Sequence, residues 1–299
     1  MTDGVIVKSI SGRYSVKTDD GTVVCGARGR LKLDKTLPLV GDRVEISVIA
    51  PGEGVIESVA PRRNSFIRPV VANVDALVMI CADINPVTDP FLIDRIAAIA
   101  ELKNCEPIVV VNKADLVRSD RLFPIYEGAG FTTIRTSAKT GEGVEELRAA
   151  LRGKISVFTG NSGVGKSSLL NALDPGFAVA TGEVSEKLGR GRHKTRHVEL
   201  YMLDADTMII DTPGFSSFDA EEGILRKKDL QYAFREFAPY LGKCRFNDCA
   251  HVKDEGCAVL AALREGKIAP ERHESYVRLY EQAAAVPEWE LKDQKERGK

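Results

Sequence analysis

No run of about 18 apolar residues occurs in the sequence, which excludes an ordinary membrane-spanning helix. The opening Met1-Thr2-Asp3-Gly4 lacks a basic segment followed by an apolar core, so no signal peptide is expected and a cytoplasmic protein is. An excess of either charge is missing too. With a formal net charge of −1, the chain carries no overall mark of nucleic-acid binding, and any such partner must be met by local patches. Six cysteines among 299 residues are too few for a disulfide scaffold. Their spacing says more: Cys25, Cys81 and Cys105 are scattered in apolar surroundings and read as core thiols, whereas Cys244, Cys249 and Cys257 are bunched. The remainder is ordinary for a soluble globular chain, 43% hydrophobic and 28% charged. Its length suits two or three domains of ~100–150 residues.

The most specific stretch is Gly160-Asn161-Ser162-Gly163-Val164-Gly165-Lys166-Ser167, followed by Ser168. It fits G-x-x-x-x-G-K-[ST] in the setting that pattern requires, with the apolar run 155–159 before it and a helical pattern from Lys166 to Leu173 after it. Glycines let successive N–H groups turn toward a phosphate chain, and the helix N-terminus adds unpaired donors and partial positive charge. Lys166 can then reach the β- and γ-phosphates, and the Ser167 hydroxyl can hold Mg²⁺.

Base choice is written upstream. The strand 107–111 ends in Asn112-Lys113-Ala114-Asp115, where Asp115 can accept from the N1–H and exocyclic amine of guanine. Asn112 is expected at the opposite edge and Lys113 under the ring. One βα unit later, Ser137-Ala138-Lys139 supplies backbone to close over guanine O6. Downstream, the strand 207–210 leads into Asp211-Thr212-Pro213-Gly214, placing Asp211 near Mg²⁺ and the Gly214 N–H at a γ-phosphate. Alternating β and α patterns over 69–219 predict a mostly parallel sheet covered on both faces, ending in an antiparallel hairpin over 198–210.

Residues 1–68 show no helical period for three turns. Short β-type runs at 5–7, 14–16, 22–25 and 43–48 favour a small closed barrel of five strands, with the oligonucleotide-binding type leading. Lys and Arg number 11 there against 8 Asp and Glu, crowding at Arg28, Arg30, Lys32 and Lys35 and again at Arg62, Arg63 and Arg68. These groups can neutralise RNA phosphates or form a plain solvated face, and few aromatics are present to stack bases. At the other end, Cys244-x4-Cys249-x-His251-x5-Cys257 supplies four ligands within 14 residues, suited to a closed tetrahedral Zn²⁺ site. Three buried thiols beside a surface histidine is the alternative. Helices are expected at 228–237, 257–265 and 271–284, with His273 on a helix surface.

The order of the motifs is diagnostic. Small GTPases ordinarily place the phosphate loop first and the guanine-reading motifs last, whereas here 112–115 and 137–139 precede 160–167. In that order, with the barrel before and the Cys/His pattern after, the chain resembles the circularly permuted ribosome small subunit-dependent GTPase A family along nearly its whole length. The resemblance implies an α/β fold: an N-terminal OB-type barrel (1–68), a permuted P-loop GTPase (69–219) and a helical zinc-binding domain (220–299). It implies GTP hydrolysis activated by the 30S subunit, late small-subunit maturation, 16S rRNA as partner, GTP and GDP as ligands, one structural Zn²⁺, Mg²⁺ with GTP, and a monomer. An RNA chaperone or translation regulator timed by GTP is the competing class.

The resemblance also makes Gly189 to His197 a switch, with five Lys or Arg and no acid from Lys187 through Arg196. Lys194 stands where relatives often have Thr, leaving Thr195 as the hydroxyl for Mg²⁺ and γ-phosphate. Phe215 follows Gly214, where many GTPases place a water-orienting Gln, and a phenyl ring cannot hold water. The family's switch histidine corresponds to His193, with His197 as the second choice.

Overall fold

The computed structural model describes residues 1–29, 37–179 and 199–285. Its first unit is a barrel of β1 (Thr2–Ile10), β2 (Arg13–Thr18), β3 (Gly21–Ala27), β4 (Arg43–Ala50) and β5 (Glu53–Val59). The strands close in the order β1-β2-β3-β5-β4, with β3 and β5 parallel and the other pairs antiparallel. Alternation drives the closure: along β2, Tyr14, Val16 and Thr18 point inward while Arg13, Ser15 and Lys17 do not. The fifth strand, β5, was hidden in the sequence by its Glu-Gly start, yet Ile56 is fully buried in the barrel.

Several of the basic residues near the barrel serve the fold. Arg62 donates to both carboxylate oxygens of buried Asp42 at 2.8 Å, and Arg63 pairs with Asp75 at 2.6 Å. Arg28 pairs with Glu57 at 2.8 Å. These pairs reduce the charge that the sequence offered to an RNA backbone. Arg30, Lys32 and Lys35 lie outside the described residues.

After the short pair β6 (Ser65–Phe66) and β7 (Val71–Ala72), the chain enters an α/β unit. It runs β8 (Ala76–Cys81), α1 (Pro90–Leu102), β9 (Glu106–Val111), α2 (Leu122–Gly128), β10 (Thr132–Arg135), α3 (Val144–Leu151), β11 (Ile155–Gly160), α4 (Lys166–Leu173), β12 (Glu199–Met202) and β13 (Met208–Asp211). Among the described residues the sheet order is β10-β9-β8-β11-β13-β12, parallel except for the terminal β12–β13 hairpin. Every residue of β8 is buried, as a strand covered on both faces must be. Leu77, Met79 and Cys81 pack with α1 and α2, while Ala76, Val78 and Ile80 pack on the other face with α3 and α4.

The chain then turns through 3-10 segments at Phe215–Ile224, Leu230–Ala233 and Arg235–Tyr240 before α5 (Ala258–Arg264) and α6 (Pro270–Ala285). The single helix expected over 228–237 is therefore two 3-10 segments, broken at extended Phe234 and followed by Pro239, which has no N–H to continue an α ladder. A buried ion cluster fastens this part to α1. Arg272 on α6 meets Asp94 of α1 at 2.7 Å and Glu236 at 2.6 Å, with all three side chains at most 6% exposed. No helix among the described residues is long and apolar enough to cross a membrane.

Candidate nucleotide and metal sites

The phosphate loop joins β11 to α4, and its local geometry leaves donors open. Helix α1 is capped conventionally: the Asp89 carboxylate accepts from the Phe91 N–H at 3.0 Å, with Pro90 at the first position. Helix α4 has no side-chain cap and starts from Gly165 in the left-handed region, φ 93°. A Cβ on Gly165 would lie 2.4 Å from Asn112 Nδ2, so the helix start and the loop after β9 can approach this closely only through glycine. An uncapped N-terminus with positive dipole is a phosphate site. Lys166 lies in the first turn, its ammonium paired with the Asp211 carboxylate from the end of β13. Ser167 is half-buried beside it and Ser168 is exposed.

Asn112 has a duty beyond the one its motif suggested. It is 3% exposed, its Nδ2 donates to the Val164 carbonyl at 2.9 Å, and its Oδ1 accepts from the Thr136 hydroxyl at 3.1 Å and the Ala138 N–H at 3.2 Å. The side chain thus ties the phosphate loop to the segment 136–138 from its own place at the end of β9. A carboxamide has two N–H donors, so one is what Asn112 can offer a base. Asp115 is exposed, and its Oδ1 accepts from the buried Ser137 hydroxyl at 2.7 Å. The Ser137 oxygen accepts in turn from the Thr140 N–H at 3.2 Å. Such a relay holds the carboxylate in one orientation. Lys113, at φ 69°, reaches across to the Asn85 carbonyl.

On the phosphate side a cleft of about 270 Å³ is lined by Gly160, Asn161, Ser162, Pro213, Gly214 and, from α1, Arg95. Gly214 adopts φ 136°, and a Cβ there would sit 3.0 Å from the Gly160 carbonyl. The two loops therefore meet backbone to backbone. Phe215 is 3% exposed, so its ring belongs to the core and offers nothing to a water molecule. His193, Lys194, Thr195 and His197 lie outside the described residues.

The second constellation is in the C-terminal part. Ligand atoms of Cys244, Cys249, His251 and Cys257 all lie within 4.8 Å of one another, and together they could hold a metal ion. Cys244 Sγ is 3.9 Å from Cys257 Sγ, and His251 Nδ1 is 3.6 and 3.4 Å from those two sulfurs. A tetrahedron with sulfur ligands at about 2.3 Å and nitrogen at about 2.0 Å has edges of about 3.5–3.8 Å, so Cys244, His251 and Cys257 fit one face of it, with Cys249 within 4.8 Å of each. The surroundings agree. His251 Nε2 faces Gln231 Oε1 at 3.0 Å, which fixes Nδ1 as the ligating nitrogen. Burial lowers the His251 pKa and pushes the Cys249 thiol up to about 12, a penalty that a cation bound to thiolate reverses.

His273 is not on a helix surface. It is 7% exposed, with Nε2 2.8 Å from the His251 carbonyl, and Tyr276 OH donates to the Ala250 carbonyl at 2.9 Å. Both hold the ligand loop from α6. Sequence reasoning missed them because the signal, His273 and Tyr276 three apart on one helical face, also describes a surface stripe.

Comparison with known proteins agrees with this architecture. The family model described as RsgA GTPase matches residues 59–221, and that described as the RsgA N-terminal domain matches residues 3–56. The chain is 43% identical over 279 residues to the small ribosomal subunit biogenesis GTPase RsgA of Caldanaerobacter subterraneus, covering 92% of this chain and 94% of that one. It is 44% identical over 277 residues to the protein of the same name from Moorella thermoacetica, covering 92% and 95%. Among solved structures it is similar to YjeQ from Thermotoga maritima (TM-score 0.82, 35% identity, 96% of this chain and 99% of that one). It is also similar to YloQ, described as a circularly permuted GTPase (TM-score 0.80, 30% identity, 96% of each chain). With a matching barrel, a permuted sheet and similarity across nearly its full length, the chain belongs to the RsgA GTPase family.

Proposed function

We propose that the protein hydrolyses GTP in response to the 30S ribosomal subunit and acts in late maturation of that particle, with 16S rRNA as its contact. The observation that carries this reading is the similarity to small ribosomal subunit biogenesis GTPases over more than nine-tenths of both chains. Guanine is read by Asp115, with Asn112 and Ser137–Lys139 bracing the loop. Residues Gly160 to Ser168 wrap the phosphates. Ser167 and Thr195 would hold Mg²⁺, with Asp211 orienting it through water, and the ion would supply charge neutralisation at the phosphates. The Gly214 N–H meets the γ-phosphate. His193 positions the attacking water, a duty that buried Phe215 cannot perform. Zn²⁺ is the ion for Cys244, Cys249, His251 and Cys257, with a structural role because the set leaves no open position. The protein acts as a monomer in the cytoplasm.

Three units divide the labour: a barrel (1–68), the GTPase (69–219) and the zinc-bearing part (220–299). Permutation matters here. It places Gly214 at the end of the GTPase unit, a few residues before the zinc-bearing part, so a γ-phosphate-dependent shift has a short covalent path onward. GTP then fixes an arrangement in which both flanking units engage the subunit together, and hydrolysis weakens the joint grip. Equilibrium binding to purified 30S subunits is expected to be at least tenfold tighter with a non-hydrolysable GTP analogue than with GDP, a coupling of about 1.4 kcal/mol. By reciprocity, 30S subunits raise the affinity for the analogue over GDP by the same factor. Equal subunit affinity in both nucleotide states contradicts the switch while leaving hydrolysis intact.

A further inference from the structure

Arg95 sits on the face of α1 turned toward the phosphate cleft, with its side chain 12% exposed. Its Nη2 donates to the Phe215 carbonyl at 3.3 Å, and its Nη1 lies 3.2 Å from Asp219 Oδ1. One guanidinium therefore grips the segment that follows Gly214 at two points, backbone and carboxylate. The base from which it reaches is firm: neighbouring Asp94 is fully buried against Arg272, and α1 is capped by Asp89. On the far side, Gly214 abuts the Gly160 carbonyl of the phosphate loop. The Gly214–Phe215 backbone is thus held between the phosphate loop and Arg95.

Such an anchor has chemical consequences because of what this segment lacks. Phe215 is buried and presents no hydrogen-bonding side chain, so the Gly214–Phe215 step can address a γ-phosphate only through its backbone. A backbone N–H contributes to a transition state only if its position is set beforehand. We propose that Arg95 is a positioning residue for GTP hydrolysis: by holding the Phe215 carbonyl and the Asp219 carboxylate, it fixes the Gly214 N–H at the γ-phosphate and so sets the preference for triphosphate over diphosphate. The inference rests on the assignment of Gly214 to the γ-phosphate. Arginine is required because its forked donors serve carbonyl and carboxylate at once, whereas a lysine ammonium is a single point charge on a flexible stem.

The experiment compares wild type, R95A and R95K in affinity for GDP, affinity for a non-hydrolysable GTP analogue, and single-turnover GTP hydrolysis with 30S subunits. For R95A, analogue affinity and hydrolysis are each expected to fall about tenfold, the loss of one charge-assisted hydrogen bond, while GDP affinity stays within about twofold. R95K is expected to fall between R95A and wild type, since it keeps the charge and one contact. A residue that merely supported the fold would weaken both nucleotides alike. Equal weakening of GDP and analogue overturns the proposal, as does wild-type hydrolysis with a wild-type analogue-to-GDP ratio in R95A. The two readings separate cleanly. A wild-type protein that binds analogue and GDP equally overturns the Gly214 assignment itself, and the Arg95 inference with it.

Discussion

Asp115→Asn is expected to lower GTP affinity by more than a hundredfold, about 3 kcal/mol, and to turn the site toward xanthosine triphosphate. Guanine presents two adjacent donors, N1–H and the exocyclic amine, and a carboxylate accepts from both. An amide at this position replaces one acceptor with a donor, which leaves the guanine amine facing an N–H in place of an oxygen. Xanthine carries a carbonyl where guanine has that amine, so the amide donor regains a partner. The side chain stays aimed in either case. Ser137 is fully buried and holds Asp115 Oδ1 at 2.7 Å, and a hydroxyl can donate to an amide oxygen as it does to a carboxylate. Competition binding with GTP, ATP and XTP reads the outcome, and an unchanged preference for GTP in the variant contradicts the assignment.

This part of the site was legible in the sequence because its chemistry is local. The run from β11 through α4 obeys a spacing rule in which each residue type has a backbone or phosphate duty, and the helix begins and ends at Lys166 and Leu173 as the pattern requires. The alternating β and α patterns likewise predicted a mostly parallel sheet, and the short connection at 204–206 predicted the antiparallel β12–β13 hairpin. What the sequence could not disclose are duties assigned by distant neighbours. Asn112 reads as a base contact by motif, yet three of its bonds go to Val164, Thr136 and Ala138, up to 52 residues away. Asp94 and Arg95 belong to no motif in the sequence. Their roles depend on Arg272, 178 positions from Asp94, and on Phe215, 120 positions from Arg95. His273 escaped for the same reason. Periodicity reports which face of a helix a residue shares, not whether another segment covers that face.

Removal of a metal ligand is the second large effect. Cys249→Ser is expected to release about one zinc per chain and to lower the stability of residues 230–285 by at least about 4 kcal/mol, a fraction of the 10–16 kcal/mol that structural zinc contributes in small fingers. The loss is large because the four ligands gather the loop on one ion, and without it the thiols and an imidazole are left facing one another. The ligand loop is tied to the rest by the Gln231, His273 and Tyr276 bonds, and around it Phe234, Phe237 and Tyr276 form a compact aromatic cluster with ring centroids 4.9 to 5.3 Å apart. Faster amide exchange in α5 and α6 is expected to accompany the loss of metal. The nucleotide loops, supported from β8, β9 and β11, are expected to keep GDP binding. Metal analysis that finds no zinc in carefully prepared wild-type protein contradicts the assignment, as does a Cys249→Ser protein with the zinc content and exchange pattern of wild type.

The central claim is that the small subunit switches on hydrolysis in a site where buried Phe215 follows Gly214 and offers no group to the attacking water. It is tested most directly by GTP turnover of the purified protein alone, with 30S subunits and with 50S subunits, alongside His193→Ala. The account predicts slow turnover alone, an increase of about a hundredfold or more with 30S that 50S does not reproduce, and a fall of His193→Ala toward the unstimulated rate on 30S, in the range that a positioned general base contributes. Turnover that is unchanged by 30S, or raised equally by both subunits, contradicts it.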